Sequence, residues 1–285
     1  MTGETVKTSM ATLSIGGSLE EKIEAIAGAG FDGLELLDDD LRRSRMSPAE
    51  CAARCADHGL TIDAYQPFRR AEGVPAEEFI DVLARFRSEL EVMSALGVTS
   101  ILVVSNTDAD AIASRDQSVT QLAALADTAA EQGVTVMFEA LAWGTHIRSL
   151  TDARDTVRQV GLPHLHLVVD TFHLLAGGEG AQALSDLPGE SVGLVQLADA
   201  PWLDLDLKSW SRGHRCFPGQ GDLDLLPPVA ALICGGYAGP LSLEIFNPGY
   251  RTRPASVVAR EGAHSLRQFI AELSERTGAN ATTRL

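Results

Sequence analysis

The chain has 285 residues, enough to bury a large core, and α/β barrels of about 250 residues commonly form a single domain. It carries 23 Lys and Arg against 39 Asp and Glu, a formal net charge of -16, which argues against a nucleic-acid partner because phosphate binding needs a basic surface. No stretch reaches the roughly 20 apolar residues that cross a bilayer, and the first residues lack the pattern of a signal peptide. We therefore expect a cytoplasmic protein without a membrane partner.

Along the chain, one unit recurs: an amphipathic helix, a glycine that can end it, and a short β-rich run. Glycine just past a helix end supplies the left-handed conformation that other residues resist. Two helix starts are marked by capping boxes, Ser18 with Glu21 and Ser47 with Glu50. Eight strands are expected, at residues 9–15, in FDGLELL (31–37), LTIDAYQ (60–66), VTSILVVS (98–105), VTVMFEA (134–140) and LPHLHLVVD (162–170), at 192–197, and in PLSLEIF (240–246).

Strands that alternate with helices imply right-handed crossovers and a parallel sheet. Eight such units predict an α/β protein with a (β/α)₈ TIM barrel, and a doubly wound open sheet is the alternative. The nucleotide-binding form of the open sheet lacks its signature, because no G-x-G-x-x-G follows the first strand. We predict one catalytic domain over residues 1–277 and a disordered tail over residues 278–285.

Four polar residues stand where apolar runs give way to loops: Glu139, Asp170, Gln196 and Glu244. They end the fifth to eighth predicted strands, and the active sites of such barrels form at the carboxyl ends of the strands. Taken singly, each could be a polar residue turning to solvent. Together they offer hard oxygen ligands, so the sequence predicts a divalent metal cofactor, magnesium, manganese or cobalt.

His173 follows Asp170 by three residues, so both side chains can reach one cavity from the same strand end. A neutral imidazole there can act as a general base, since its ordinary pKa lies near neutral pH. A fifth metal ligand or a structural histidine are the alternatives. His146, in WGTH, is the second choice for the general base and is also a candidate substrate contact.

A connection of about 26 residues, 198–223, separates the last two strands and is long enough to be a functional lid or binding loop. It concentrates basic and hydroxyl side chains in an otherwise acidic chain. A guanidinium binds a carboxylate through two hydrogen bonds, so an acidic small molecule could be oriented there, although a solvated basic segment is the plainer reading. The substrate-contact candidates are Ser211 and Arg215, Arg69 in YQPFR with Arg70 as its substitute, and Glu35 in GLELL.

Four motifs carry a specific resemblance: FEALAWGTH, VVDTFHLLAGG, LVQLADAPWLDLDLKSWSRGHRCFPGQGDL and GPLSLEIFN. They resemble the bacterial 3-dehydroshikimate dehydratases, which belong to the xylose isomerase-like barrel superfamily. Many members carry a second, dioxygenase-like half after the barrel. The resemblance implies metal ligation by Glu139, Asp170, Gln196 and Glu244, proton transfer by His173, and substrate contacts by Arg69, Ser211 and Arg215.

The same resemblance implies a reaction. His173 would remove the acidic C6 proton of 3-dehydroshikimate, a metal would stabilise the resulting enolate, and loss of water would give aromatic protocatechuate. The alternative is a ketose isomerase or epimerase on the same barrel, in which Glu139 and Glu244 would serve as paired proton donors and acceptors. A DNA-repair endonuclease is opposed by the net charge, and a ligand-binding barrel without activity would be expected to have lost one of these groups. A homo-oligomer is compatible with the sequence.

Overall fold

The computed structural model describes residues 6–278, and in it eight parallel strands close into a barrel in sequence order. The predicted TIM barrel is therefore confirmed. Residues 279–285, which are most of the predicted disordered tail, lie outside the described part, and the domain bounds remain a prediction. The strands are β1 (Thr8–Ala11), β2 (Gly33–Leu37), β3 (Thr61–Phe68), β4 (Ser100–Val104), β5 (Thr135–Glu139), β6 (Leu165–Asp170), β7 (Val192–Leu197) and β8 (Leu241–Leu243).

Helices cover the outside of this barrel. Both predicted capping boxes are present. The hydroxyls of Ser18 and Ser47 accept from the backbone N–H of the glutamate three residues later, and the side chain of that glutamate accepts from the backbone N–H of the serine. Between residues 6 and 278 no helix is long and apolar enough to span a bilayer. The helices are α1 (Leu19–Gly28), α2 (Asp38–Arg43), α3 (Pro48–Asp57), α4 (Ala76–Leu96), α5 (Arg115–Ala130), α6 (Leu150–Val160), α7 (Thr171–Ala176), α8 (Leu207–Gly213), α9 (Leu226–Cys234), α10 (Pro248–Arg251) and α11 (Ala255–Thr277).

The first strand is shorter than the sequence pattern predicts. It ends at Ala11 instead of residue 15, and a 3-10 turn over Thr12–Ser14 follows. The turn brings two hydroxyls onto neighbouring strand ends: Thr12 Oγ1 accepts from the Leu37 N–H at 3.1 Å, and Ser14 Oγ accepts from the Ile245 N–H at 2.9 Å. These bonds satisfy backbone donors that the sheet leaves open, which an apolar strand could not do.

The inside of the barrel is built in layers, because side chains two residues apart in a strand point to the same face. One apolar layer is formed by a cluster of buried side chains: Ala64, Leu102, Met137, Val168 and Leu194. Two residues further along β3, β5, β6 and β7 stand Gln66, Glu139, Asp170 and Gln196. The polar groups at the barrel mouth therefore rest on an apolar floor.

Tyr237 gives a test of how the barrel is closed near this floor. Its buried hydroxyl accepts from the Val195 N–H at 3.1 Å and donates to the Pro240 carbonyl at 2.6 Å. We expect Tyr237→Phe to lower the free energy of unfolding by about 1–3 kcal/mol, because it leaves a buried backbone N–H without a partner. Urea denaturation measures the change. Tyr250→Phe is the control, since its hydroxyl bonds the exposed Gln220 side chain and water can replace it; equal losses in both variants would contradict this role.

Candidate active site

The four strand-end residues meet inside the barrel mouth and do not turn to solvent. Glu139, Asp170, Gln196 and Glu244 are between 0% and 4% exposed. Asp170 lies opposite Gln196 in the register of β6 and β7, and the other two residues end or follow β5 and β8. The burial excludes the plainer reading of four unrelated surface groups, because isolated buried carboxylates are costly unless they are paired.

These carboxylates raise one another's proton affinity. One ligand atom each from Glu139, Asp170 and His173 lie within 4.8 Å of one another. Burial, and then the nearby charges of Glu244 and Asp170, raise the pKa of Glu139 well above its usual range. Burial likewise raises the pKa of Glu244, against the opposing effect of Arg215. A site that holds several such groups favours a cation.

Asp170 is both an acid of the site and the N-cap of α7. Its Oδ1 accepts from the backbone N–H groups of Phe172 at 2.7 Å and His173 at 3.2 Å. Burial alone would raise the pKa of Asp170, but the charge of Arg215 and these hydrogen bonds hold it below its usual value. Because Asp170 caps the turn that carries His173, the strand end fixes both side chains.

His173 is buried, and each of its ring nitrogens faces a donor. The Ala142 N–H lies 3.2 Å from Nδ1, and Arg215 Nη2 lies 3.1 Å from Nε2. Burial above all lowers the pKa of His173 to about 3, so the ring is neutral and can accept at one nitrogen. The charged donor makes the stronger bond, which favours the tautomer with its lone pair on Nε2. Glu139 Oε1 is 3.4 Å from that nitrogen.

Arg215 is the central cation of the site and is 0% exposed. Its Nη1 donates to Asp170 Oδ2 at 2.7 Å and to Glu244 Oε2 at 3.1 Å. Its Nη2 and Nε donate to Ser211 Oγ at 2.9 and 3.1 Å. The long connection predicted as a lid thus sends one arginine into the core, where it offsets the buried acids.

A cavity opens above these groups, and two aromatic rings flank it. Its lining includes Trp143, Phe246, Arg69 and Arg212. The Arg212 guanidinium lies 4.2 Å from the centre of the Phe246 ring and 5.5 Å from that of Trp143. Among residues 6–278 no acid lies within salt-bridge distance of Arg69 or Arg212, so both charges are available to an anion from outside.

The sequence missed several of the lining residues. Gln66 ends an apolar run as the four predicted ligands do, so the same signal could have found it. Arg212 was recognised only as part of a basic segment, and nothing in the pattern distinguished it from its neighbours. Phe246 carries no chemical signal of its own.

Two substrate-contact candidates lie elsewhere. His146 is half-buried and is not among the residues that line the cavity. Glu35 is 0% exposed and pairs in register with Ala64, a member of the apolar floor, so it lies one layer below the cavity. Arg69, Arg215 and His173 line the cavity, and Ser211 stands behind Arg215.

The donor set fits a divalent cation. Glu139 Oε1 and Gln196 Oε1 are buried acceptors that have no hydrogen-bond partner among the described residues. Such oxygens are costly unless something cationic or protic faces them. Carboxylate and amide oxygens are ligands that magnesium and manganese accept.

Known proteins share this fold and these motifs. Residues 23–269 match the sequence model of the xylose isomerase-like TIM barrel. The 3-dehydroshikimate dehydratases of Pseudomonas aeruginosa and Pseudomonas putida are 43% and 41% identical over 261 residues, or 92% of this chain and 41% of each relative. The chain thus spans about two fifths of the length of these relatives.

The solved structure of a xylose isomerase-like TIM barrel/4-hydroxyphenylpyruvate dioxygenase fusion protein superposes with a TM-score of 0.94 at 39% identity. The match covers 99% of this chain and 45% of that one. The resemblance seen in the motifs is confirmed by these relatives. The chain therefore belongs to the xylose isomerase-like TIM barrel family.

Proposed function

We propose that the chain is a metal-dependent 3-dehydroshikimate dehydratase, which releases water and forms protocatechuate. The observation that carries this proposal is one cavity in which the Nε2 lone pair of His173 lies beside buried oxygen ligands and below two unpaired guanidinium groups. A base, an electrophilic site and a carboxylate-binding site are what this reaction needs. The two dehydratases at 41% and 43% identity support the same substrate.

The proposed metal ligands are Glu139, Asp170, Gln196 and Glu244. A divalent cation held there would supply a Lewis acid that polarises the ketone oxygen of the substrate. Each of these residues lies in the last two positions of a barrel strand or directly follows one, and sites built on strands are held more precisely than sites on loops. These four residues are buried, so charge interactions among them and with a substrate are stronger than they would be in water.

His173 is the proposed base. Its Nε2 accepts from Arg215 Nη2 in the structure, so the base becomes available when Arg215 turns away from it. Nε2 would then take the C6 proton, which the ring enone acidifies, and the electrons would move into the conjugated system. The C5–O bond then breaks, the hydroxyl leaves with a proton as water, and enolisation completes the aromatic ring. Trp143, whose ring centre lies 5.0 Å from that of His173, holds the imidazole on one side.

Arg69 and Arg212 are the proposed partners of the substrate carboxylate, because both line the cavity and neither has a partner acid among the described residues. Arg215 lines the same cavity and is proposed as a further contact, supported from behind by Ser211. A guanidinium and a divalent cation repel each other between the same carboxylates. We therefore propose that Arg215 Nη1 leaves Glu244 and turns to the substrate when the site is loaded.

A ketose isomerase or epimerase is the second candidate, because Glu139 and Glu244 both line the cavity and could exchange protons with a sugar carbon. Neutral sugars are bound through hydroxyl contacts, which the two unpaired arginines do not favour. An isomerase would give no aromatic product from 3-dehydroshikimate.

The first prediction concerns turnover. Protein loaded with Mn²⁺ should convert 3-dehydroshikimate into a product with the ultraviolet absorbance of protocatechuate, and a chelator should abolish the reaction. His173→Ala should lower kcat by about 10²–10⁴-fold because the general base is lost, while Mn²⁺ still binds. His166→Ala is the control, because His166 lies on β6 and its ring is hydrogen-bonded to the Pro163 carbonyl. Absence of product with Mg²⁺, Mn²⁺ and Co²⁺ would contradict the proposal.

A second prediction concerns carboxylate recognition. Arg212→Ala should raise KM more than it lowers kcat, since it removes a charge that binds the substrate in both the ground and transition states. The double variant with Arg69→Ala should raise KM further. Arg70→Ala is the matched control, because Arg70 adjoins Arg69 in sequence but pairs with Glu78 and Asp108. Unchanged KM in Arg212→Ala would remove this residue from the substrate site.

The third prediction concerns the buried charges. In protein stripped of metal, Arg215→Met should lower the free energy of unfolding by about 3 kcal/mol, because it leaves buried acids without their partner. Mn²⁺ should restore more stability to this variant than it adds to the native protein, since the cation replaces the lost positive charge. Denaturation with and without Mn²⁺ measures both. Arg253→Met, which breaks the half-exposed pair with Glu261, should change little; a comparable loss there would count against this interpretation.

A further inference from the structure

Glu35 is a buried acid that the proposed reaction does not use. It stands on β2, is 0% exposed, and is absent from the cavity lining. Carboxylates are rarely buried to this extent unless the protein supplies hydrogen bonds for them. The question is what this group does one layer beneath the candidate active site.

Three side chains donate to Glu35. The Ser242 hydroxyl donates to Oε1. Two side-chain amides share Oε2: Gln196 Nε2 donates at 2.7 Å and Gln66 Nε2 at 2.8 Å. Both carboxylate oxygens of Glu35 thus have hydrogen-bond donors within the barrel, and both glutamines direct their nitrogen atoms at it.

This contact fixes which end of the Gln196 amide faces the site. An amide has a donor nitrogen and an acceptor oxygen at nearly equal distances from its carbon, and a partner that only accepts selects the nitrogen. Because Nε2 points at Glu35, Oε1 points away and is left as a buried acceptor without a partner among residues 6–278. The reverse orientation would set two oxygens against each other and turn N–H donors toward the metal ligands.

Gln66 extends the same arrangement to a second ligand. Its Nε2 also lies 3.2 Å from Glu244 Oε1, so it bridges Glu35 and Glu244. Glu35 therefore contacts one proposed ligand, Gln196, directly and is connected to another, Glu244, through Gln66. Partners of this kind, which do not touch the metal, commonly change its affinity by about 10–100-fold.

We propose that Glu35 is a positioning residue, which orients the Gln196 oxygen toward the divalent cation and thereby sets the affinity of the site for metal. The inference rests on the ligand set in the proposed function, but it does not depend on which substrate the protein dehydrates. It assigns Glu35 a role below the cavity, in place of the substrate contact expected from the sequence.

Two substitutions separate orientation from charge. Glu35→Met keeps the length of the side chain but removes both acceptors, so Gln196 is free to turn. Glu35→Gln removes the negative charge but keeps an oxygen for the two glutamines, while its own NH₂ donates to Ser242 Oγ. If orientation is what matters, the dissociation constant for Mn²⁺ should rise by about 10–100-fold in Glu35→Met and stay near the native value in Glu35→Gln.

The measurement is Mn²⁺ binding to the full chain without substrate, followed by the electron spin resonance signal of the free ion. Equal weakening in both variants would show that only the charge counts and would overturn the proposal. Glu35→Gln matches the native side chain in shape, so it decides the question even if Glu35→Met does not fold: weakening of about tenfold in Glu35→Gln contradicts positioning.

Glu72→Met is the matched control for the loss of a buried acid. Glu72 is 1% exposed and accepts from the Asn106 N–H at 2.9 Å and from the Ser118 hydroxyl, away from the cavity. This variant should lose stability and keep its affinity for Mn²⁺. If it weakens Mn²⁺ binding as much as Glu35→Met does, the effect is general destabilisation and the proposal is wrong.

A double-mutant cycle tests whether Glu35 acts on metal binding through Gln196. In a Gln196→Ala background the amide is already gone, so Glu35→Met should cost less affinity than it does alone. Independent effects that multiply would overturn the proposal, as would a native chain that binds no Mn²⁺. A native chain that binds Mn²⁺ but forms no aromatic product would contradict the dehydratase function alone, and the comparison of Glu35 variants would still decide this inference.

Discussion

Repulsion between buried carboxylates at the barrel mouth is the constraint that organises this molecule. The side chains of Glu139, Asp170 and Glu244 are at most 4% exposed, and their carboxylates lie close to His173 and Arg215. Burial and mutual repulsion favour the protonated form, and the raised pKa values of Glu139 and Glu244 express this cost. One guanidinium, from Arg215, opposes it. Three carboxylates against one guanidinium leave two negative charges when all are ionised, and one divalent cation would balance them.

The fold meets this constraint by supplying positive charge and hydrogen bonds from several separate elements. The connection after β7 delivers Arg215, and the first turn of α7 delivers two backbone N–H groups to Asp170. Gln66 Nε2 donates to Glu244, and it also donates, with Gln196 Nε2, to the carboxylate of Glu35. Asp170 and Glu244 are therefore each held by groups from different parts of the chain. Because these partners converge only when the barrel closes, the site and the fold form together.

Part of this arrangement could be predicted from the sequence. Strand ends are local features, so Glu139, Asp170, Gln196 and Glu244 could each be placed at the carboxyl edge of the sheet from the pattern around them. The depth of a residue inside a closed barrel is not local, because it depends on the stagger between neighbouring strands. Glu35 shows the difference. It stands in the middle of the apolar stretch GLELL, β2 continues for two more residues, and the register of β2 with β3 sets Glu35 beside Ala64 in the floor.

The arginines of the long connection show a second limit. Arg212 and Arg215 are three residues apart in a segment without regular periodicity, so the sequence could not say which one enters the core. The structure places Arg215 among the acids and leaves Arg212 at the mouth without a partner acid among the described residues. Buried charge needs a fixed internal partner, whereas an unpaired guanidinium between two aromatic rings has its preferred partner outside the protein. The two arginines thus divide two tasks. Arg215 offsets the buried charges of Asp170 and Glu244, whereas Arg212 can be changed without removing a contact from either acid.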